Sequence, residues 1–292
     1  MQILDGKIVA DTVKDAIKAR TISFNNITGI TPHLAAILIG NNGAGETYVA
    51  NKIRSCAEVG FKSSLFRFDA SVTQQEIINT LEKLNDDKDV HGILVQLPLP
   101  KHVNESDIIN SIDPRKDVDG FHPVSVGKLV QGLNTFIPAT PLGIMLMLEH
   151  YKIETAGKNA VVIGRSNIVG RPMSILLSRN SNPGNCTVTL CHSHTKGLDK
   201  ICREADIIVA ALGIPGFLKK EMVSEGAVVI DVGITRIADN TKKSGYILKG
   251  DVDFENVSPK CSFITPVPGG VGLMTIAALL QNTLMAAEAK KN

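Results

Sequence analysis

Hydrophobic and polar positions along the 292-residue chain alternate between two periods. Ile8, Val9, Val13, Ala16 and Ile17 recur at helical spacing, which predicts an opening helix. Residues 34–39 form an apolar run of strand length, 61–68 reads as a second strand, and 92–97 is again an apolar strand, stopped by Pro98 and Pro100. Helical patterns lie between them, from about residue 46 to 59 and after Thr73. There Thr73-x-x-Glu76 spells a capping box ahead of Ile77, Ile78, Leu81 and Leu84. The pattern loosens over 111–138, a segment rich in Asp, Pro and Gly that predicts a long loop with one short helix near 126–131. Thr140-Pro141 reads as an N-cap followed by a first-turn proline, opening a helix to about residue 151. The rhythm then returns, with strands over 160–163, 187–190, 206–211, 227–231 and 263–265, and a helix over 168–178. A long helix rich in small residues runs from 272 to about Lys290.

Strands alternating with helices predict an α/β chain with mainly parallel sheets, and the length predicts two three-layer domains. The expected boundaries are 1–139 for the first domain and 140–270 for a second, Rossmann-like one. Residues 271–292 are expected to form a helix returning to the first. No internal repeat or low-complexity tract interrupts this order.

Composition narrows the function classes. A net charge of +2, no Trp and 4% aromatic residues argue against phosphate-dominated nucleic-acid binding and against base-stacking platforms. Five cysteines without a C-x-x-C pair fit a reducing compartment better than a disulfide framework. The first residues lack the pattern of a signal peptide and no uninterrupted membrane span is evident, so the cytoplasm, or an organelle matrix after processing, is the expected location and no membrane partner is expected.

Candidate chemistry begins at Gly40-Asn41-Asn42-Gly43-Ala44-Gly45, which ends the first apolar strand. Tyr48 and Lys52 follow at a spacing of four, so a helix presents them on one face near a strand end, where open α/β sheets bind ligands. A tyrosine packed on a lysine stem at the surface has the same spacing. Gln96 puts a polar amide at the end of an apolar strand, where burial requires a partner, and Lys52 is a plausible one. Lys116-Asp117-Val118-Asp119-Gly120-Phe121-His122-Pro123 supplies carboxylates on a loop facing the cleft, although a solvated turn has the same composition. His122, before a proline, reads as structural.

In the second half, Gly164-Arg165-Ser166-Asn167-Ile168-Val169-Gly170 joins a strand to a helix and departs from G-x-G-x-x-G at Ser166. Gly164 suits the tight turn and Gly170 the close helix–strand contact, and the helix N-terminus offers amides to a pyrophosphate. The next strand ends Cys191-His192-Ser193-His194-Thr195, without the acid that holds an NAD ribose. Arg165 and nearby hydroxyls suit a 2′-phosphate instead, which favours NADP. Strand alternation separates Cys191 from the histidines, so a metal site is not expected. The glycine loops 210–216 and 231–234 follow strands and border the same edge. Thr265-Pro266-Val267-Pro268-Gly269-Gly270-Val271-Gly272 opens the last helix with a rigid wall.

Taken together, these segments resemble the methylenetetrahydrofolate dehydrogenase/cyclohydrolase family across essentially the whole chain. The segments that match are Tyr48-Val49-x-x-Lys52, Leu94-Val95-Gln96-Leu97-Pro98-Leu99-Pro100, the 116–123 run, Gly164-Arg165-Ser166-x-Ile168-Val169-Gly170 and the 264–272 run. The resemblance implies a bifunctional enzyme of one-carbon metabolism, linked to purine biosynthesis. It would oxidise 5,10-methylenetetrahydrofolate with NADP and hydrolyse the methenyl product to 10-formyltetrahydrofolate. A homodimer is implied, each chain with a folate-binding first domain and a Rossmann second domain. Residue by residue, Lys52 resembles the catalytic lysine, Tyr48 the ring stacked on the folate, Gln96 the amide that positions the lysine, and Asp119 the carboxylate on the pterin amine edge. Gly164 belongs to the cofactor turn, Arg165, Ser166 and Ser193 resemble cofactor contacts, and Ile234 part of the cofactor pocket. Pro268 and Gly269 resemble the folate-side wall. Three positions depart from the pattern: Gly45 where serine is usual, Ala139 where cysteine is usual and Leu273 where proline is usual. Gly45 removes a hydroxyl close to Lys52, which opens the alternative of a dehydrogenase with little cyclohydrolase activity. A silent NADP- or folate-binding protein is a further alternative, although a binder has no need of the lysine.

Overall fold

The apolar runs become parallel strands and the stretches between them helices in a computed structural model, which describes residues 1–40, 43–239, 241–242 and 245–289. The first half runs β1 (Gln2–Ile3), α1 (Gly6–Thr28), β2 (His33–Ile39), α2 (Gly43–Glu58), β3 (Lys62–Phe68), α3 (Gln74–Asp86), β4 (Gly92–Val95), α4 (Glu105–Asn110) and α5 (Pro123–Val130). It continues through α6 (Ala139–His150), β5 (Asn159–Ile163), α7 (Gly170–Ser178), β6 (Thr187–Cys191), α8 (Leu198–Arg203), β7 (Ile207–Ala210) and β8 (Val228–Asp231). The last elements are β9 (Thr235–Ala238), β10 (Tyr246–Lys249), α9 (Phe254–Val257), β11 (Phe263–Ile264) and α10 (Val271–Ala289). Asn41 and Asn42 of the glycine-rich lead-in, and Lys290 at the expected end of the last helix, lie outside the described residues.

The chain divides into two units. The first comprises Asp11–Ala139 with Ile276–Asn292, the second Met1–Ala10 with Thr140–Thr275. This differs from the expected boundaries at the N-terminus. β1 pairs in parallel with β11, so the opening residues belong to the second sheet, and a two-residue strand is too short to show a period. The last helix also starts in the second unit, because Val271–Thr275 precede the division at Ile276.

In the first unit, three parallel strands take the order β3-β2-β4. The central strand is buried from Leu34 to Ile39, which is why it reads as an unbroken apolar run. The capping box is present at the start of α3: Glu76 N–H donates to Thr73 Oγ1, and Thr73 N–H donates to the Glu76 carboxylate at 2.9 Å. At its other end, Lys116 Nζ donates to the carbonyls of Leu84, Asn85 and Asp87 at 2.6–2.8 Å. Lys116 therefore holds a helix C-terminus. α5 begins at Pro123, earlier than the expected 126, because His122 Nδ1 accepts from Val124 N and caps it. An added helix, α4, is capped by Asn104.

The main sheet of the second unit has six strands in the order β1-β11-β8-β7-β5-β6, parallel throughout. α6 starts at Ala139, so Thr140 lies in its first turn and is not its N-cap. β9 and β10 form an antiparallel ribbon that the periodicity did not foreshadow, with Arg236 4.5 Å above the Tyr246 ring. Gly143 is required by proximity, because a Cβ there would lie 2.6 Å from Met274 Cβ.

α10 is long and apolar enough to cross a membrane by composition, with a mean hydropathy of 1.3. Its Ala277, Ala278, Leu279, Leu280, Leu284 and Ala287 are buried inside the protein, as in a core helix. The five cysteines are free and buried. Burial pushes the thiols up, to about 11 at Cys186 and Cys261 and about 12 at Cys56 and Cys202, so thiolate chemistry is suppressed.

Candidate active site

The strand–helix order of the first unit carries three of the expected residues to one place. β2 ends at Ile39 and α2 follows, placing Lys52 in mid-helix. β4 ends at Val95, so Gln96 stands at the same sheet edge, tied to β2 by its N–H to Ile37 O at 2.9 Å. Lys52 Nζ donates to Gln96 Oε1 at 3.0 Å. The other end of the amide donates to Leu97 O at 2.8 Å, which holds Oε1 toward the lysine. Tyr48 is half-buried one turn before Lys52.

The charges here are poised against each other. Burial lowers the Lys52 pKa, opposed by the charges of Asp119 and Cys56. Burial raises Asp119 to about 6, with Lys52 pulling it down and Asp117 pushing it up. Both groups are thus shifted toward their neutral forms. Gly45 is buried in the first turn of α2, seven residues and two turns before Lys52 and so on its face of the helix.

The two aspartates of the 116–123 run have different places. Asp117 is 1% exposed and accepts from Phe121 N at 3.2 Å, His122 N at 2.8 Å and Ser125 Oγ at 2.8 Å. These bonds build the turn. The resulting loop aligns with β4 through a bridge between Ile93 and Asp117, which presents Asp119 near the end of that strand. Asn282, on α10, donates to Val118 O and Ile137 O, both at 2.8 Å. Sequence reading passed over it, and its only signal is an amide in an otherwise apolar helix face.

In the second unit, the βα turn after β5 leaves no room for side chains. A Cβ on Gly164 would lie 2.1 Å from Ala211 O, and one on Gly170 would lie 1.9 Å from Gly164 O; Gly164 also has φ +119°. The helix N-terminus also carries contacts from its own turn. Ser166 Oγ accepts from Val169 N at 3.2 Å and Gly170 N at 3.3 Å, and Ser166 O accepts from Arg171 N at 3.0 Å. The hydroxyl accepts both bonds, and its own proton remains free to donate. Arg165 and Ser193 are exposed. Burial lowers the His192 pKa and the Arg165 charge lowers it further, which brings the guanidinium into electrostatic reach of the turn after β6. That turn is closed by Thr195 Oγ1 accepting from His192 N at 2.9 Å, and it contains no carboxylate. An exposed arginine, free hydroxyls and no acid fit a 2′-phosphate, so the residues present fit NADP.

Ile234 is 40% exposed, and a Cβ at Gly272 would lie 2.8 Å from its Cδ1. Pro268 is exposed, and Gly269 O accepts from Gly6 N at 2.8 Å. The loop after β7 is held from within: Asp251 Oδ2 accepts from Leu212 N at 2.6 Å and Gly213 N at 2.9 Å. Asp231 in turn accepts from Gly233 N at 3.0 Å, Asp251 N at 2.8 Å and Val252 N at 3.0 Å. The amides of 212 and 213 therefore serve Asp251, and the loop contribution expected at 210–216 does not come from them. Asp251 is a second residue that sequence reading missed.

Comparison with known proteins covers both units. Residues 4–119 match the family described as Tetrahydrofolate dehydrogenase/cyclohydrolase, catalytic domain, and residues 138–291 match its NAD(P)-binding domain. A bifunctional protein FolD from Flavobacterium johnsoniae is 58% identical over 286 residues, covering 98% of this chain and 97% of its own. A crystal structure of the bifunctional enzyme FolD from Campylobacter jejuni is 49% identical, with a TM-score of 0.92 over 99% of both chains. The Trypanosoma brucei methylenetetrahydrofolate dehydrogenase-cyclohydrolase, solved with NADP cofactor and inhibitor, is 37% identical, with a TM-score of 0.94 over 99% of this chain and 98% of its own.

Proposed function

The chain belongs to the tetrahydrofolate dehydrogenase/cyclohydrolase family, and on that premise we propose that it oxidises 5,10-methylenetetrahydrofolate to the 5,10-methenyl form with NADP and hydrolyses that cation to 10-formyltetrahydrofolate. The observation that carries the reading is the half-buried Lys52–Gln96 hydrogen bond within electrostatic reach of Asp119. A protein that only bound its ligands has no use for a lysine whose ammonium form is disfavoured by burial.

NADP, when bound, supplies a hydride acceptor at its nicotinamide ring. The carbon that loses hydride is flanked by two nitrogens, so the cation left behind is resonance-stabilised and the chain's main task is placement. Tyr48 stacks on the folate and Asp119 accepts from its amine edge. Hydrolysis adds water to the methenyl carbon, opens one carbon–nitrogen bond and releases one proton. Neutral Lys52 takes that proton, held in line by Gln96, and the positive folate beside it favours the neutral amine further. Arg165 and Ser193 receive the 2′-phosphate, Gly164 and Ser166 the adjoining phosphates, and Ile234 borders the nicotinamide end. Pro268 and Gly269 form wall on the folate side. The free, buried cysteines fit a reducing cytoplasm. In this reading the protein acts there as a homodimer and supplies formyl groups for purine biosynthesis.

One assay tests the proposal. NADPH and methenyltetrahydrofolate are followed together after mixing methylenetetrahydrofolate with NADP. NADPH formation with only transient methenyl is the expected result, and no turnover of either would sink the proposal. A dehydrogenase with weak hydrolysis is the second reading, favoured by the missing hydroxyl at buried Gly45. Lasting methenyl accumulation supports it, and Gly45→Ser should then raise hydrolysis several-fold, about 1 kcal/mol for one restored hydrogen bond.

A further inference from the structure

We propose that Asn282 is a positioning residue for Asp119, acting through the peptide that joins Val118 to it. The proposal rests on the reading of Asp119 given above. Asn282 is 3% exposed, on a face of α10 shared with buried Leu279. Its Nδ2 has two protons, and the two acceptors are Val118 O and Ile137 O, each at 2.8 Å. The first carbonyl belongs to the peptide plane whose other end is the Asp119 N–H. Fixing that plane fixes where the Asp119 side chain leaves the backbone.

The far side of Asp119 is held against the same partner segment. Gly120 has φ +71°, and a Cβ there would lie 2.8 Å from both Phe136 O and Pro138 N. Val118 itself is fully buried against Gly92, where a Cβ would approach Val118 Cγ1 to 2.7 Å. Asp119 thus sits between a residue held by an amide and a residue held by a contact that admits no side chain. Both restraints converge on residues 136–138. Thr283, the next residue on α10, is also buried, but its hydroxyl donates to Leu279 O at 2.8 Å within the helix. Two adjacent buried polar groups therefore differ in kind. Thr283 serves its own helix, whereas Asn282 reaches carbonyls 164 and 145 residues away. An isolated amide among leucines is destabilising unless its donors are used, and here both are used on the loop.

The test measures both Michaelis constants, the pH profile of kcat/KM for the folate, and Tm. Asn282→Ala is expected to raise the folate KM about tenfold while the NADP KM stays within about twofold, and to move the acidic limb that Asp119 sets. Thr283→Val is expected to lower Tm and leave both constants and the limb in place. If Asn282→Ala does not fold, Asn282→Gln carries the test, since its longer arm must displace the Val118 carbonyl and raise the folate KM several-fold. Equal rises of both constants, or a lower Tm with neither changed, overturn the proposal. Asp119→Asn is measured alongside. If it leaves the folate KM unchanged, the reading of Asp119 fails and the role of Asn282 with it. A strong effect at Asp119 with none at Asn282 removes only the role of Asn282.

Discussion

Asp119 in the first unit and Asp231 in the second are both held at about 6 by burial, yet their surroundings are opposite. Asp231 is 3% exposed and accepts three backbone N–H bonds, two of which tie the end of β8 to the segment after β10. Its shift survives those bonds because burial outweighs them and the Asp251 charge adds to it. Asp119 is opposed by the charge of Lys52, which is itself pushed toward its neutral form. The shifted value alone does not separate a girder from a reactive group. The partners do: backbone amides in one case, a displaced titratable side chain in the other.

The sharpest way to break the comparison is at the lysine. Lys52→Met should lower hydrolysis by at least about a hundredfold, the usual scale of acid–base catalysis, with NADP affinity retained. Titration of NADP into the variant checks this, and an equal loss of NADP affinity would show the lysine misassigned. Next comes Asp231→Ala, which strands three buried N–H groups and should lower stability by about 3 kcal/mol, or about 10 °C in Tm. Well below that transition, folate turnover should stay within about threefold of the parent. A collapse of turnover with unchanged Tm would erase the distinction between the two aspartates.

The smallest effect is a pH dependence at Asp119. Its folded value, about 6, lies above the unfolded value of about 4. Its contribution to stability is therefore fully present below pH 4 and is lost as the pH rises through 6. Asp119→Asn should gain stability relative to the parent between pH 4 and pH 8, by at most about 3 kcal/mol, while folate affinity falls. The same Tm difference at both pH values would contradict burial as the cause.

The pairing of Lys52 with Gln96 was legible because Gln96 is a polar residue ending an apolar strand, while the helix of Lys52 follows the neighbouring strand at the same edge. The parallel order itself was legible from the alternation of periods. What escaped shares one property: the partner is backbone, far away in sequence. Asn282 reaches Val118 and Ile137, Asp251 reaches Leu212 and Gly213, and β1 is two residues long and reaches β11. A carbonyl or amide has the same appearance at every position, so no pattern of side chains announces it. The Ser166 contact at the start of the Gly170 helix escaped for a related reason. Ser166 is visible in the sequence as a gap in a glycine motif, but not as the group that fills the space it borders.

The buried thiols carry a consequence for watching this molecule move. Cys56 lies in the first unit, within the helix of Lys52, and Cys186, Cys191, Cys202 and Cys261 lie in the second. None can meet a modifying reagent without an opening of its surroundings, so the rate at which each is alkylated counts openings. The protein thus carries natural clocks in both halves. Folate added alone should slow the clock at Cys56, NADP added alone should slow those beneath the nucleotide sheet, and mass spectrometry can read all five from one reaction.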